Sequence, residues 1–250
     1  MWTFFHKLAS PPHFYRIAGL LIPWFAVSGV ALIIYGATKG LFFAPPDYQQ
    51  GDAFRIIYVH VPAAYLSLMA YSIMAVSAGI GLIWRMKLAH AVAAGVAPIG
   101  SWFTFLALIT GAVWGRPMWG TWWEWGDPRL TSELILLFLY FGYMALRASI
   151  DDGTKADRAS AVLALVGAVN VPIIHFSVEW WSSLHQGATL IRADGPSIAG
   201  PMLYPLLTMI AGFTFFFAAV LLMRVRSEVL YRERRAKWVR RLLPETTGIA

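Results

Sequence analysis

A chain of 250 residues with 58% hydrophobic content, 13% charged residues and a mean hydropathy of +0.60 is too apolar for an ordinary soluble domain. Its formal charge of +7 lacks the aromatic and basic interleaving of a nucleic-acid groove, and its cysteine count of zero removes disulfides, thiolate metal sites and redox thiols. The composition predicts an all-α polytopic membrane protein, one domain over residues 1–250.

The opening MWTFFHKLASPPHFYR reads as an aromatic, weakly basic lead-in along the membrane interface. The apolar run Ile17–Thr38 follows. Its roughly 22 residues exceed the ~7–15 of a signal-peptide core, so it is read as a retained span. Further runs long enough to cross ~30 Å of hydrocarbon lie at about Ile56–Trp84, Ala91–Trp114, Ser132–Ile150, Ala159–Ser177 and Pro201–Met223, giving six helices. Helices are required because a backbone in lipid must satisfy its own hydrogen bonds, and the runs lack the alternation of barrel strands. Pro98 and Pro172 are candidate breaks. The basic stretch Arg224–Leu243 is expected to continue the last helix as an amphipathic tail, either meeting anionic lipid or docking a partner.

Lys and Arg stay preferentially on the cytoplasmic side. With the N-terminus inside, the inner segments hold fifteen of these residues, eight of them in the tail, and the outer segments hold Lys39, Arg55, Arg116, Arg129 and Arg192. Both termini are therefore expected in the cytoplasm and the loop at about 115–131 on the outer, periplasmic face.

That loop contains WGTWWEWGDPRLTS. Trp114, Trp119, Trp122, Trp123 and Trp125 fall within twelve residues, and Trp119, Trp122 and Trp123 have the i, i+3, i+4 spacing of one helical face. Two readings stay open: a belt of interfacial indoles, or a platform for a flat ligand. His60, His175 and His185 lie at or near the same face by this topology. Neutral imidazole is a common metal ligand, and a pair on opposite faces of a porphyrin makes iron six-coordinate. A flat, apolar, metal-bearing molecule such as haem answers both features. Arg55, Arg116, Arg129 and Arg192 supply guanidinium groups suited to its propionates, although Arg129 could simply pair with Asp127.

WGTWWEWGDPRLT resembles the tryptophan-rich WWD signature of membrane haem-handling proteins. With FAPPDYQQGDAFRIIYVHVPAA before it and NVPIIHFSVEWWSSLHQG after it, nearly the whole chain is similar to the haem-handling protein C family of the cytochrome c maturation system. The resemblance implies haem b held at the periplasmic face of the bacterial inner membrane, with His60 and His185 as axial ligands. Trp114, Trp119, Trp122, Trp123, Trp125, Asp127, Arg129, Arg55 and Arg192 then surround it. It also implies handling without catalysis, beside an ATP-binding cassette transporter and a small single-span subunit, and delivery to a periplasmic haem chaperone. The family signature runs W-x-W-D-x-R-L-T, whereas here Gly126 precedes the aspartate, which displaces Asp127 relative to the rings. A haem-b electron-carrying subunit is the alternative. It would need ligands near both membrane faces, and every plausible ligand here lies at one.

Overall fold

A computed structural model describes residues 10–185, 187, 189, 190 and 194–242. Helix α1 (Pro11–Thr38) passes into a π-helical turn at Lys39–Phe43. A 3-10 turn at Asp52–Ile56 leads into α2 (Ile57–Trp84), followed by α3 (Lys87–Trp119), α4 (Pro128–Ala148), α5 (Gly153–Gly167), α6 (Asn170–Trp180), α7 (Gly200–Arg232) and the short α8 (Lys237–Arg240). Six of these segments, counting α5 with α6 as one, are long and apolar enough to cross a membrane.

Each boundary has a local cause. Helix α1 begins at Pro11 and α4 at Pro128, first-turn positions where a missing N–H costs nothing. Between α2 and α3 the chain reverses through Arg85 in the left-handed region (φ 53°). The fifth span breaks at Ala168 and Val169, four and three residues before Pro172. Proline has no N–H for the carbonyl of Ala168 and its ring crowds that position, so the turn tightens to i→i−3 bonds from Val169 to Val166 and from Ala168 to Leu165. Asn170 stitches the break to the bundle by donating to the Ser132 carbonyl at 2.9 Å. Pro98, by contrast, sits inside an unbroken α3.

The core is formed mainly by α2 and α3, joined by side chains from α4, α5, α6 and α7. Ala63, Ala70, Ala78, Ala93, Ala97 and Ala107 line the contacts, and Leu66, Met74, Leu136 and Ile174 fill between them. Small residues suit a membrane bundle, where close backbone approach replaces the hydrophobic drive that water supplies elsewhere. Helix α1 stands to one side, packed against α7 through Gly29, Gly36 and Gly212; a Cβ on Gly29 would lie 2.7 Å from the Phe216 nitrogen.

Side-chain ties sort the loops into two ends. At one end, Trp114 Nε1 donates to Gln50 Oε1 at 3.0 Å, which ties the segment 44–51 to α3, and Asp127 binds Ser183 and Leu184, which joins the segments 120–127 and 181–185. At the other, Arg232 makes a bidentate bond to Asp157 (2.6 and 2.7 Å), Arg147 pairs with Glu228, and Tyr15 packs on Trp238. The first and last described residues, Ser10 and Leu242, are at this second end.

Three sequence expectations are corrected. Residues 11–16 belong to α1, because the two prolines start the helix earlier than the apolar run does. The tryptophan loop is shorter than 115–131: α3 runs to Trp119 and α4 starts at Pro128, leaving only 120–127 between them. The tail is not one continued helix. Helix α7 ends at Arg232, the backbone leaves helical geometry at Glu233, and α8 is a separate turn.

Candidate functional site

Helix α3 ends where Gly120 takes a left-handed conformation (φ 77°), a position a side chain would strain. The chain then runs without helix to a turn at Glu124–Asp127, closed by the Asp127 N–H on the Glu124 carbonyl at 3.1 Å. Gly126 sits in that turn and donates its N–H to Glu124 Oε1. Trp119, Trp122 and Trp123 therefore share no helical face, contrary to the expectation from their spacing. Trp119 is the last residue of a helix, while Trp122 and Trp123 lie in the non-helical chain beyond it.

The rings form two groups meeting edge to face. Trp114 and Trp119 have centroids 5.0 Å apart at 74°, and Trp119 meets the His185 imidazole at 5.0 Å and 68°. Trp123 and Trp125 lie 5.5 Å apart at 62°. Such tilted contacts are the favoured aromatic geometry and build a box of edges, so the single flat platform is replaced by rings at several angles. Trp122 and Trp125 are 57% and 73% exposed, and so face outward. The Trp123 indole N–H is buried with no hydrogen-bond partner among the described residues. A buried donor without an acceptor is costly, which marks this position as one that an acceptor would relieve.

His60, in the first turn of α2, and His185, in the segment after α6, line one cavity together with Arg129, Glu133, Leu130, Ala107 and Ile174. Its volume is about 30 Å³, comparable to the share of a single water in the liquid. Both imidazoles are held through Nδ1. Thr110 donates its hydroxyl to the Leu106 carbonyl at 2.7 Å, so its oxygen is left to accept from His60 Nδ1 at 2.9 Å. Ser183 likewise donates to Asp127 Oδ2 at 2.7 Å, and its oxygen faces His185 Nδ1 at 3.3 Å, with Asp127 Oδ1 at 3.4 Å from the same nitrogen. These networks place the proton of each ring on Nδ1 and leave Nε2 with its lone pair. Gly111 makes room for the first ring: a Cβ there would stand 3.2 Å from His60 Cε1.

Asp127 organises the outer segment. Its fully buried carboxylate caps α4 by accepting from the N–H groups of Arg129 and Leu130, both at 3.0 Å, and accepts from the Leu184 N–H at 2.8 Å. Burial alone would raise its pKa, but these donors, the Ser183 hydroxyl and nearby His185 outweigh it and hold the carboxyl below the usual aspartate range. Burial also dominates at His185. It lowers the imidazole pKa, Asp127 offsets this in part, and the charge of Arg129 adds to the lowering, so the ring is neutral at pH 7.

The other candidates fall out as follows. Arg129 lines the cavity, and Asp127 meets its backbone N–H without forming an ion pair to its guanidinium. Arg55 is engaged elsewhere, donating to the carbonyls of Gly40 and Leu41 at 3.0 Å and to Asp52 at 2.9 Å. Arg116 closes on the Gly120 carbonyl. Arg192 lies outside the described residues. His175 is exposed on α6, edge-on to Phe176, and does not line the cavity. Four contributors went unread in the sequence: Gln50, Thr110, Ser183 and Glu133. The first three are ordinary polar residues whose role depends on which loop they meet. Glu133 did carry a signal, an acid inside the apolar run TSELILLFLY, where an ionisable side chain is rarely idle. It is buried and accepts from the Ser67 hydroxyl at 2.6 Å.

A search of protein-family models matches residues 4–240 to the family described as Heme exporter protein C. This chain belongs to the Heme exporter protein C family. Relatives bearing that name include those of Escherichia coli strain K12, 52% identical over 97% of this chain and 98% of that protein, and of Haemophilus influenzae, 49% identical over 97% and 98%. Another, from Bradyrhizobium diazoefficiens, is 48% identical over 92% of this chain and 86% of its own length. The family assignment made from the tryptophan and histidine segments is thus borne out along the whole chain, as is the all-helical, six-span architecture.

Proposed function

We propose that this protein binds haem b between His60 and His185 at the end of the bundle that carries the 120–127 and 181–185 segments, and passes it to a periplasmic haem chaperone during cytochrome c maturation. The observation that carries the reading is the pair of imidazoles on one cavity, each tied through Nδ1 and each with no hydrogen-bond partner on Nε2 among the described residues. A hydrogen-bond partner on the far nitrogen is the usual way a metal-binding histidine is oriented. The donor set fits the group: two neutral nitrogens for iron, aromatic edges from Trp114, Trp119 and Trp123 for the macrocycle, and Arg129 with the Trp123 N–H for carboxylates. A gap of about 30 Å³ admits no macrocycle as it stands, so binding requires the 181–185 segment to draw back from α2. That segment is held to the bundle through the Asp127 carboxylate, a contact able to re-form behind an arriving ligand.

The periplasmic placement rests on the excess of Lys and Arg at the opposite end, eight of them from Arg224 to Arg241. Partners of this chain would then be an ATP-binding cassette transporter and a small single-span subunit in the inner membrane, with the chaperone outside. The rim position of His185 suits a carrier that must release its cargo, since a site open to a partner is easier to empty than one sealed in the bundle.

Replacing Trp119 or Trp123 by Ala is expected to weaken haem binding by roughly 1–3 kcal/mol while the protein still inserts, because each indole removes apolar contact at the site. Trp122 and Trp125, which face outward, should matter less for retention. Haem content per protein by absorbance checks this; equal content in all four variants would return the cluster to an interfacial belt.

The function itself is tested by coexpressing a periplasmic haem chaperone with the wild type, His60→Ala or His185→Ala, and measuring covalent haem on the chaperone. Loading is expected with the wild type and not with either variant. Equal loading by all three would mean that another site delivers haem.

A further inference from the structure

The structure assigns a second binding site at the end that carries the Arg232–Asp157 pair: a pocket for the phosphate headgroup of an anionic phospholipid, formed by Arg16, Arg226 and Arg241 between α1, α7 and α8. The cavity measures about 300 Å³ and is completed by Pro12, Tyr15, Gly19, Trp238 and Leu242. Three guanidinium groups around one hollow repel one another, and none forms an ion pair among the described residues. Arg147 and Arg232 at the same end are paired with Asp157 and Glu228, whereas these three arginines share one concave space with no carboxylate among its lining residues. The unpaired set therefore calls for an anion.

Arg226 is prepared for one. Its guanidinium carbon stands 4.0 Å from the centre of the Tyr15 ring, and a Cβ on Gly19 would lie 3.4 Å from the same atom, so the group is clamped flat between an aromatic face and bare backbone. Its Nε–H is buried without a partner among the described residues. A planar donor fork held in this way suits the paired oxygens of a phosphate. The far wall is fixed as well: Trp238 packs on Tyr15 with centroids 5.7 Å apart, its N–H bonds Glu233, and it rests against the Val225 and Val229 cluster. The break after Arg232, absent from the sequence expectation, is what folds Trp238 and Arg241 back over the hollow.

A free phosphate would satisfy the guanidinium groups equally well; what points to a lipid lies next to the pocket. From Arg16 an exposed apolar stripe runs along α1 at helical spacing, through Leu20 (72% exposed), Trp24 (75%), Val27 (69%) and Ile34 (61%). A headgroup in the pocket would sit at the membrane–water boundary with its acyl chains along this stripe. Charge at one end and apolar contact at the other describe a phospholipid, and the arginines select an anionic one.

Full-length protein in nanodiscs or mild detergent, probed by native mass spectrometry with added phosphatidylglycerol, phosphatidylcholine or inorganic phosphate, tests the assignment. The expected result is one tightly retained phosphatidylglycerol that excess inorganic phosphate does not displace, with phosphatidylcholine held no better than bulk lipid. Replacing Arg16 and Arg226 together by Gln should weaken retention by about thirtyfold, near fivefold for each charge taken from the headgroup attraction. Gly19→Leu keeps every charge but fills the hollow, and should give a comparable loss. Bound haem serves as the folding control, since neither variant touches His60 or His185. Unchanged lipid retention in Gly19→Leu would overturn the pocket, and full displacement by inorganic phosphate would overturn the lipid.

Discussion

The double variant His60→Ala/His185→Ala should purify without haem, and each single variant should hold far less than the wild type. The rings come from α2 and from the segment after α6, and each is aimed by its own network, Thr110 for one and Asp127 with Ser183 for the other. Alanine leaves a space of imidazole size, so external imidazole should restore part of the bound haem in each single variant. Acid adds an independent check. Burial and Arg129 keep the His185 pKa below its ordinary ~6.5, so the ring remains neutral as the pH falls through that value. Retention should therefore be flat from neutral pH through about 6.5 and decline only in more acid solution, where protonation of the ring competes with iron. Wild-type haem content in the double variant would end the assignment of these residues as ligands.

Asp127→Ala should loosen the whole outer end. One carboxylate there accepts from Arg129, Leu130, Ser183 and Leu184 and stands beside His185. Its removal takes away a helix cap worth about 1 kcal/mol and leaves the Ser183 and Leu184 donors unmet at roughly 1–3 kcal/mol each, a total of about 3–7 kcal/mol confined to this end. Faster proteolysis of the 120–127 and 181–199 segments should report it. Asp127→Asn is the sharper variant. It has nearly the same shape, yet its amide must turn a donor toward either the α4 N–H groups or the Ser183 and Leu184 pair. Misaiming His185 in this way is expected to weaken haem binding by about 10–100-fold, the usual effect of losing an orienting partner. The linkage has the same sign: the Asp127 pKa is depressed in the fold, so its contribution is complete above ~3.9 and is lost as pH falls through its folded value. Normal haem content and normal protease resistance in Asp127→Asn would show that the carboxylate orients nothing.

The departure at Gly126 is explained by the same contacts. The extra residue is taken up in the Glu124–Asp127 turn, and the Asp127 carboxylate meets the segment that carries His185. Its part is to join two loops. Nothing within WGTWWEWGDPRLTS could have shown this, because the groups it meets lie 56 and 57 positions further along the chain.

Composition by itself determined the six helices, their order and their near boundaries, since hydrocarbon thickness sets the length of an apolar run and the backbone in lipid has no alternative to the helix. The family was legible too, in the tryptophan and histidine segments that the full-length match bears out. Where those side chains point was decided only by the tertiary structure. The i, i+3, i+4 spacing of Trp119, Trp122 and Trp123 implied one face, but Gly120 ends the helix between them, so a periodic pattern had no helix to act on. The pairing of His60 with His185, the capture of Arg55 by the Gly40 and Leu41 carbonyls, and the hollow left among three arginines at the other end all depend on contacts between distant segments. Hydropathy describes each segment against its solvent. Hydrogen bonds and ion contacts describe segments against each other, and these set the site.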